Sequence, residues 1–130
     1  MSEFIDKRIL IADDDEIHLA IIEKMLKELG ADVISVRDGG EAIDTYRDEH
    51  GKFDLLILDL IMPKFGGLDV AQKIRSVDAI PGALNIPIIT MTAHNGSYDP
   101  DRAKAVNISE HLIKPIDPED LLNVIRKYLN

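Results

Sequence analysis

Five side chains that can do chemistry stand where short apolar runs of the sequence end. In chain order they are Asp13, Asp14, Asp59, Thr92 and Lys114. Clustered carboxylates repel one another, and a hard divalent cation relieves that repulsion. An ammonium and a hydroxyl group beside them suit the oxygens of a phosphoryl group. Within such a cluster an aspartate can act as a carboxylate nucleophile and form an acyl phosphate.

Each of these residues alone has a simpler explanation. Asp59 can cap a turn after a core strand, and a threonine or lysine at a strand end commonly lies on the surface. Part of the acidic run at residues 13–16 suits the start of a helix, where carboxylates favour the macrodipole. The functional interpretation therefore depends on whether the fold brings the five side chains together.

The elements that position them can be predicted from the hydrophobic pattern. The predicted strands are residues 9–12, 32–36, 55–58, 87–92 and 111–113, and the predicted helices are 17–29, 41–50, 68–74, 101–106 and 118–129. This alternation predicts an α/β fold with a parallel sheet and helices on both faces. Right-handed crossovers place the carboxyl ends of all strands on one edge, where open α/β sheets bind ligands. The five side chains should meet there.

Two helices have apolar faces that we expect to pack on the sheet. The face predicted for the first helix consists of Ile17, Ala20, Ile21, Met25 and Leu29. The last helix begins at Asp117 and Pro118. Its predicted buried stripe consists of Leu121, Leu122, Ile125 and Leu129.

Composition narrows the possible functions. The chain has 130 residues, a net charge of −9 and no cysteine. We expect one domain without disulfides or a thiolate metal site. No apolar run approaches the ~18 residues of a membrane span, and residues 1–6 lack the form of a signal peptide, which predicts a cytoplasmic location. The acidic charge argues against direct nucleic-acid binding.

Combined, these motifs resemble the receiver domain of two-component response regulators over essentially the whole chain. The matching segments, in the family's order and approximate spacing, are Ile9 to Asp14, Asp59 followed by Met62-Pro63 and Gly67, Thr92-Ala93 and Lys114-Pro115. The resemblance implies a flavodoxin-like doubly wound (βα)5 fold with a five-stranded parallel sheet in the order 2-1-3-4-5. Because the last predicted helix ends at Leu129, next to the final residue, we expect a single receiver domain over residues 1–130 without an output domain, either stand-alone or excised from a longer protein.

The resemblance assigns roles to the acidic residues. Asp59 would accept a phosphoryl group, and Asp14 would ligate Mg²⁺ directly, with Asp13 assisting through water. The backbone carbonyl of Ile61 would be a further ligand, and Mn²⁺ is an alternative metal.

It likewise implies how the phosphoryl group is held and sensed. Lys114 would pair with the acidic site and the phosphate, and the Lys114–Pro115 peptide would be cis. The backbone N–H groups of Leu60 and Ala93 would contact the phosphate. Thr92 would move toward the phosphoryl group on its arrival.

Partners follow from the same resemblance. A histidine kinase or a histidine phosphotransfer protein would donate the phosphoryl group. A downstream target protein would dock on the face formed by the fourth helix, fifth strand and fifth helix. We expect no membrane partner, and either a monomer or a phosphorylation-dependent dimer.

The sequence departs from the family at positions that affect the switch. His111 stands three residues before Lys114, where the family usually has Tyr or Phe, so we expect altered, pH-sensitive coupling to Thr92. Ile61 and His94 occupy the variable positions that tune phosphoryl lifetime. Ile61 cannot orient an attacking water, which predicts slow self-hydrolysis. Gly66 stands where Asp or Asn is usual and is expected to loosen the loop after Asp59.

Two alternatives compete with a phospho-accepting signalling module. A phosphatase of the haloacid-dehalogenase type would need a second aspartate two residues after Asp59, where the chain has Ile61. A degenerate receiver that serves as an interaction scaffold would not need the five-residue set, which is intact here. We therefore expect a signalling module that catalyses only its own phosphorylation and slow dephosphorylation.

Overall fold

The computed structural model describes residues 3–76, 80, 82–93 and 98–129, and within them strands and helices alternate. The strands are β1 (Arg8–Ala12), β2 (Asp32–Val36), β3 (Leu55–Asp59), β4 (Ile88–Thr92) and β5 (Glu110–Ile113). The helices are α1 (Glu16–Glu28), α2 (Gly39–Asp48), α3 (Gly67–Arg75), α4 (Pro100–Ala105) and α5 (Pro118–Leu129).

The sheet has the predicted architecture. All four strand pairs are parallel, and the order is β2-β1-β3-β4-β5. β3 lies at the centre, and all five of its residues are buried. This explains its unbroken apolar run, because helices cover both faces of a central parallel strand.

Two hydrophobic cores lie on opposite faces of the sheet. Side chains of α1 and α5 pack on one face, whereas side chains of α2, α3 and α4 pack on the other. The predicted stripe of α5 is buried as expected. With the strand order, this confirms the doubly wound fold.

The predicted buried face of α1 is wrong in its first half, although Met25 and Leu29 from that face are half-buried against the core. Leu19, Ile22 and Leu26 are the buried residues, whereas Ile17 is 75% exposed and Ile21 is 52% exposed. The buried residues have the helical spacing i, i+3 and i+7, so they form one stripe. α1 therefore carries apolar residues on two sides, and one side remains uncovered beside the carboxyl edge of the sheet.

The helix ends follow local chemistry. α2 begins at Gly39, two residues before the predicted start, because the Asp38 side chain caps it by accepting a 2.8 Å hydrogen bond from the Glu41 amide. α4 ends before Asn107, which has the predicted left-handed conformation with a φ of 56°. Among the residues that the structure describes, no helix is long and apolar enough to cross a bilayer.

Candidate functional site

Three carboxylates meet at the carboxyl edge of the sheet, where β1 and β3 lie side by side. Asp13 and Asp14 directly follow β1, and Asp59 is the last residue of β3. One carboxylate oxygen from each of them lies within 4.8 Å of the others. Asp13 is fully buried and Asp59 nearly so, whereas Asp14 is exposed. The fold therefore brings together the three acidic residues that the sequence predicted.

Lys114 links two of these carboxylates. Its Nζ lies 2.9 Å from Oδ2 of Asp59 and 3.1 Å from Oδ2 of Asp13. The backbone amide of Lys114 donates to the carbonyl of Thr92 over 2.8 Å, which extends the pairing of β4 with β5 up to the site. The Lys114–Pro115 peptide is cis, as the family resemblance predicted.

The two buried carboxyl groups differ in acidity. Burial alone would raise the pKa of Asp13, but its hydrogen bonds with His18, the Asp15 amide and Lys114 lower that pKa to about 2. Burial raises the pKa of Asp59 despite the hydrogen bonds from Lys114 and the Ile61 amide. Burial would lower the pKa of Lys114, yet Asp59 and Asp13 together raise it. Asp13 is thus the firmly ionised partner.

His18 is a site residue that the sequence analysis missed. Its Nδ1 lies 2.6 Å from Oδ2 of Asp13. Asp15 caps α1 by accepting hydrogen bonds from the amides of Ile17 and His18, which sets where the first turn begins. The available signal was a histidine in the first turn of a helix that starts directly after the acidic run.

Of the two backbone amides that follow Asp59, one binds its carboxylate and the other does not. The Ile61 amide donates to Oδ1 of Asp59 over 3.1 Å. The Leu60 amide instead donates to the carbonyl of Met91 over 2.8 Å and would have to leave that bond to contact a phosphate. The roles of Leu60 and of the Ile61 carbonyl stay predictions.

On β4, Thr92 and Ala93 stand at the same edge of the sheet. Thr92 is fully buried, and Ala93 is exposed and lines a groove beside the site. Their proposed contacts with a phosphoryl group stay predictions. His94, the second variable position, lies outside the described residues.

His111 occupies a different place from the one that its predicted coupling to Thr92 suggests. In the β4–β5 register, Thr92 is opposite Ile113, and His111 is opposite Thr90. Nδ1 of His111 lies 2.8 Å from Oγ1 of Thr90, and the ring stacks on Tyr98 with centroids 3.9 Å apart. Burial lowers the pKa of His111. The altered switch stays a prediction, but its immediate partners are Thr90 and Tyr98.

Gly66 and Gly67 allow the loop after β3 to pack closely on the strand end. A Cβ atom at Gly66 would lie 2.3 Å from the Leu60 carbonyl oxygen, and one at Gly67 would lie 2.6 Å from that of Asp59. The expected loosening at Gly66 is therefore not the reason for glycine there. The missing side chain permits close backbone contact instead.

An apolar groove of about 520 Å³ opens beside the acidic cluster. It lies between α1 and the segment that leads into α5, and its lining includes Ile21, Met25, Ile116 and Leu121. Lys114 also lines it, so the groove is continuous with the acidic site. Through Lys114, which contacts Asp59, the groove adjoins the acidic cluster.

Comparison with known proteins identifies the family. The model for the response regulator receiver domain matches residues 9–126. A probable transcriptional regulator ycf27 of Porphyridium aerugineum is 34% identical, over 95% of this chain and 48% of its own length. Hybrid signal transduction histidine kinase I of Dictyostelium discoideum is 32% identical, over 95% of this chain and 7% of its own length. The chain thus spans less than half of these curated relatives.

Solved structures agree with this match. Chemotaxis protein CheY4 of Vibrio cholerae superposes with a TM-score of 0.83 and 26% identity, covering 95% of this chain and 98% of that one. The receiver domain of sensor histidine kinase PA1611 of Pseudomonas aeruginosa, solved with a magnesium ion coordinated in the active site cleft, gives a TM-score of 0.80 and 25% identity, with coverage of 95% and 97%. The chain therefore belongs to the response regulator receiver domain family, the phospho-accepting modules of two-component signalling.

Proposed function

We propose that Asp59 is the phosphoryl acceptor and that a phosphohistidine of a histidine kinase or phosphotransfer protein is the donor. The observation that carries this proposal is the way the Asp59 carboxylate is held. Lys114 binds one of its oxygens, and the Ile61 amide binds the other. A carboxylate held in this way keeps a fixed direction, which favours in-line attack.

The transfer balances without any further reactant. An oxygen of Asp59 attacks the phosphorus, the P–N bond to the donor imidazole breaks, and a P–O bond forms. The imidazole leaves with the electron pair of the broken bond. Lys114 is then placed to pair with the negative charge on the transferred phosphoryl oxygens. Thr92 and the Ala93 amide, at the end of the next strand, are the further donors that we assign to that group.

The acidic cluster fits a hard divalent cation. Asp13, Asp14 and Asp59 bring three carboxylates, and Lys114 offsets only one of their charges. Oxygen ligands in this number suit Mg²⁺, with Mn²⁺ as an alternative, and the chain has no cysteine for a softer site. When bound, such a cation supplies charge neutralisation for phosphoryl transfer. The magnesium described for the Pseudomonas receiver domain supports this assignment.

The donor protein is assigned to the groove beside α1. Ile21 is exposed and lines this groove, which continues to Lys114, and Ile17 is exposed one helical turn earlier on α1. A donor histidine has to approach Asp59 from solvent, so its carrier must cover the surface around the site. We assign the downstream target to the face of α4, β5 and α5, with His111 and Tyr98 as its switch pair.

Mass spectrometry tests the acceptor assignment. The protein is incubated with Mg²⁺ and acetyl phosphate, and we expect an increase by the mass of one phosphoryl group. Asp59→Asn should show no increase. Asp48→Asn is the matched control because Asp48 is exposed at the far end of α2, and it should react like the wild type. An increase in Asp59→Asn equal to that of the wild type would contradict the proposal.

A further inference from the structure

His18 makes a specific contact for which the phosphoryl-transfer scheme has so far had no role. Its Nδ1 lies 2.6 Å from Oδ2 of Asp13, and the side chain is 18% exposed. The imidazole also lines the apolar groove, so it lies where the groove meets the acidic cluster. A histidine kept only for packing would not need this short polar contact with a fully buried carboxylate.

The proton in this contact belongs to the histidine. The pKa of Asp13 is lowered to about 2 by His18, the Asp15 amide and Lys114, against the effect of burial. The carboxylate is therefore ionised near neutral pH and can only accept hydrogen bonds. We therefore assign Nδ1 of His18 as the donor in this contact.

Asp13 needs a partner of its own because Lys114 is shared. Lys114 Nζ contacts both Asp13 and Asp59 and, in the proposed transfer, also pairs with the phosphoryl group. Among the residues that the structure describes, two other groups bind the Asp13 carboxylate. The Asp15 amide binds Oδ1 over 3.0 Å, and His18 binds Oδ2. With each oxygen held by a separate donor, the plane of the carboxylate is set even when Lys114 turns away.

We propose that His18 is a positioning residue for the acidic site: its Nδ1–H orients the Asp13 carboxylate, and this orientation strengthens divalent cation binding. The inference rests on the proposed function, because it assigns the cation to Asp13, Asp14 and Asp59. Groups that hydrogen-bond a metal ligand commonly change metal affinity by roughly 10–100-fold when they are removed. His18 acts through Asp13 and does not touch the phosphoryl group.

Calorimetric titration with Mg²⁺ tests the proposal without any phosphodonor. His18→Leu removes the donor and should weaken Mg²⁺ binding roughly tenfold. His18→Asn keeps a donor nitrogen at the position of Nδ1 and should restore most of the affinity. The proposal is overturned if His18→Leu binds Mg²⁺ as tightly as the wild type, if His18→Asn is as weak as His18→Leu, or if the wild type binds none.

The ¹⁵N resonances of the imidazole provide a second readout, which needs no variant and covers the case in which His18→Leu does not fold. Well above neutral pH and without metal, we expect the hydrogen of His18 on Nδ1. A hydrogen on Nε2 alone would overturn the proposal. These results are separable from the acceptor assignment. Failure of phosphoryl incorporation at Asp59 would leave the tautomer measurement intact, and a wild-type Mg²⁺ affinity in His18→Leu would leave Asp59 as acceptor.

Discussion

Two cationic side chains, Lys114 and Arg75, lie at opposite ends of the sheet strands and have opposite surroundings. Lys114, at the carboxyl edge, contacts the carboxylates of Asp13 and Asp59. Arg75, at the end of α3 and 9% exposed, donates to the carbonyl oxygens of Ala83, Val106 and Asn107 over 2.8–3.0 Å. Burial lowers the pKa of Arg75, whereas its carboxylate partners raise the pKa of Lys114.

The difference separates a structural cation from a functional one. Each carbonyl that Arg75 binds belongs to a loop that precedes or follows a helix, so the guanidinium joins α3 to the segments before β4 and β5. Its five N–H groups suit several fixed acceptors at once. Lys114 is a single point charge, partly exposed and shared between two buried carboxylates. We expect the first arrangement to resist change and the second to rearrange when a phosphoryl group or cation arrives.

Removal of the structural cation, Arg75, should have the largest effect on stability. Arg75→Met leaves three carbonyl oxygens without their donor and should lower the free energy of unfolding by about 3 kcal/mol. Urea unfolding measures this. Arg47→Met, at an exposed position on α2, is the control and should change little. The folded fraction of Arg75→Met should still bind Mg²⁺ normally. Loss of Mg²⁺ binding with an unchanged unfolding free energy would contradict the structural role of Arg75.

Removal of the functional cation, Lys114, should mainly affect phosphorylation. Lys114→Met should lower the rate of phosphorylation by acetyl phosphate roughly 100-fold, because the developing phosphoryl charge loses its cation. Its unfolding free energy should fall by less than that of Arg75→Met. Lys104→Met, at an exposed position on α4, serves as the control. A wild-type rate in Lys114→Met would show that the ammonium has no part in the transfer.

Strong acid should remove the stabilising contribution of the Asp13 carboxylate. The folded-state pKa of Asp13 is about 2, against 3.8 as its ordinary value. Its stabilising contribution is present above pH 3.8 and is lost as the pH falls through about 2, because the unfolded chain takes up the proton first. This shift of the Asp13 pKa corresponds to about 2 kcal/mol of unfolding free energy above pH 3.8. The unfolding free energies of wild type and Asp13→Asn, measured with denaturant and without metal, should converge as the pH falls from 3.8 to about 2. A constant difference between the two proteins would contradict the lowered pKa of Asp13.

The smallest effect on stability is expected from variants that test whether the donor protein docks at the groove. Ile17→Ser and Ile21→Ser remove exposed side chains and should change unfolding free energy by no more than about 0.5 kcal/mol. They should slow phosphotransfer from a protein phosphohistidine but not from acetyl phosphate. Ile5→Ser, 60% exposed and outside the groove, is the matched control. Equal rates from the protein donor in all variants would remove the groove from the docking surface.

The sequence predicted the sheet, its order and the meeting of Asp13, Asp14, Asp59 and Lys114. These follow from strand periodicity and crossover handedness, and the order from the family resemblance, with little dependence on individual side-chain packing. What it missed depends on side-chain geometry in three dimensions. The inward face of α1 was chosen wrongly because apolar residues lie on two sides of that helix.

Two contacts depend on three-dimensional geometry that the sequence pattern does not specify. Arg75 finds its carbonyl acceptors in segments up to 32 residues away, beyond any helical pattern. His18 lies only five residues from Asp13, but nothing in that spacing shows that the start of α1 turns its ring toward the site. Similarly, glycine at position 66 suggested a flexible loop, whereas a Cβ atom there would lie only 2.3 Å from the Leu60 carbonyl oxygen.

The central claim is that Asp59, held between Lys114 and the Ile61 amide, carries the phosphoryl group. Reductive cleavage of the acyl phosphate with borohydride, followed by peptide sequencing, tests it most directly. We expect the phosphorylated protein to yield homoserine at position 59, with Asp13 and Asp14 unchanged. Homoserine at position 13 or 14, or phosphoryl incorporation without homoserine at any aspartate, would contradict it.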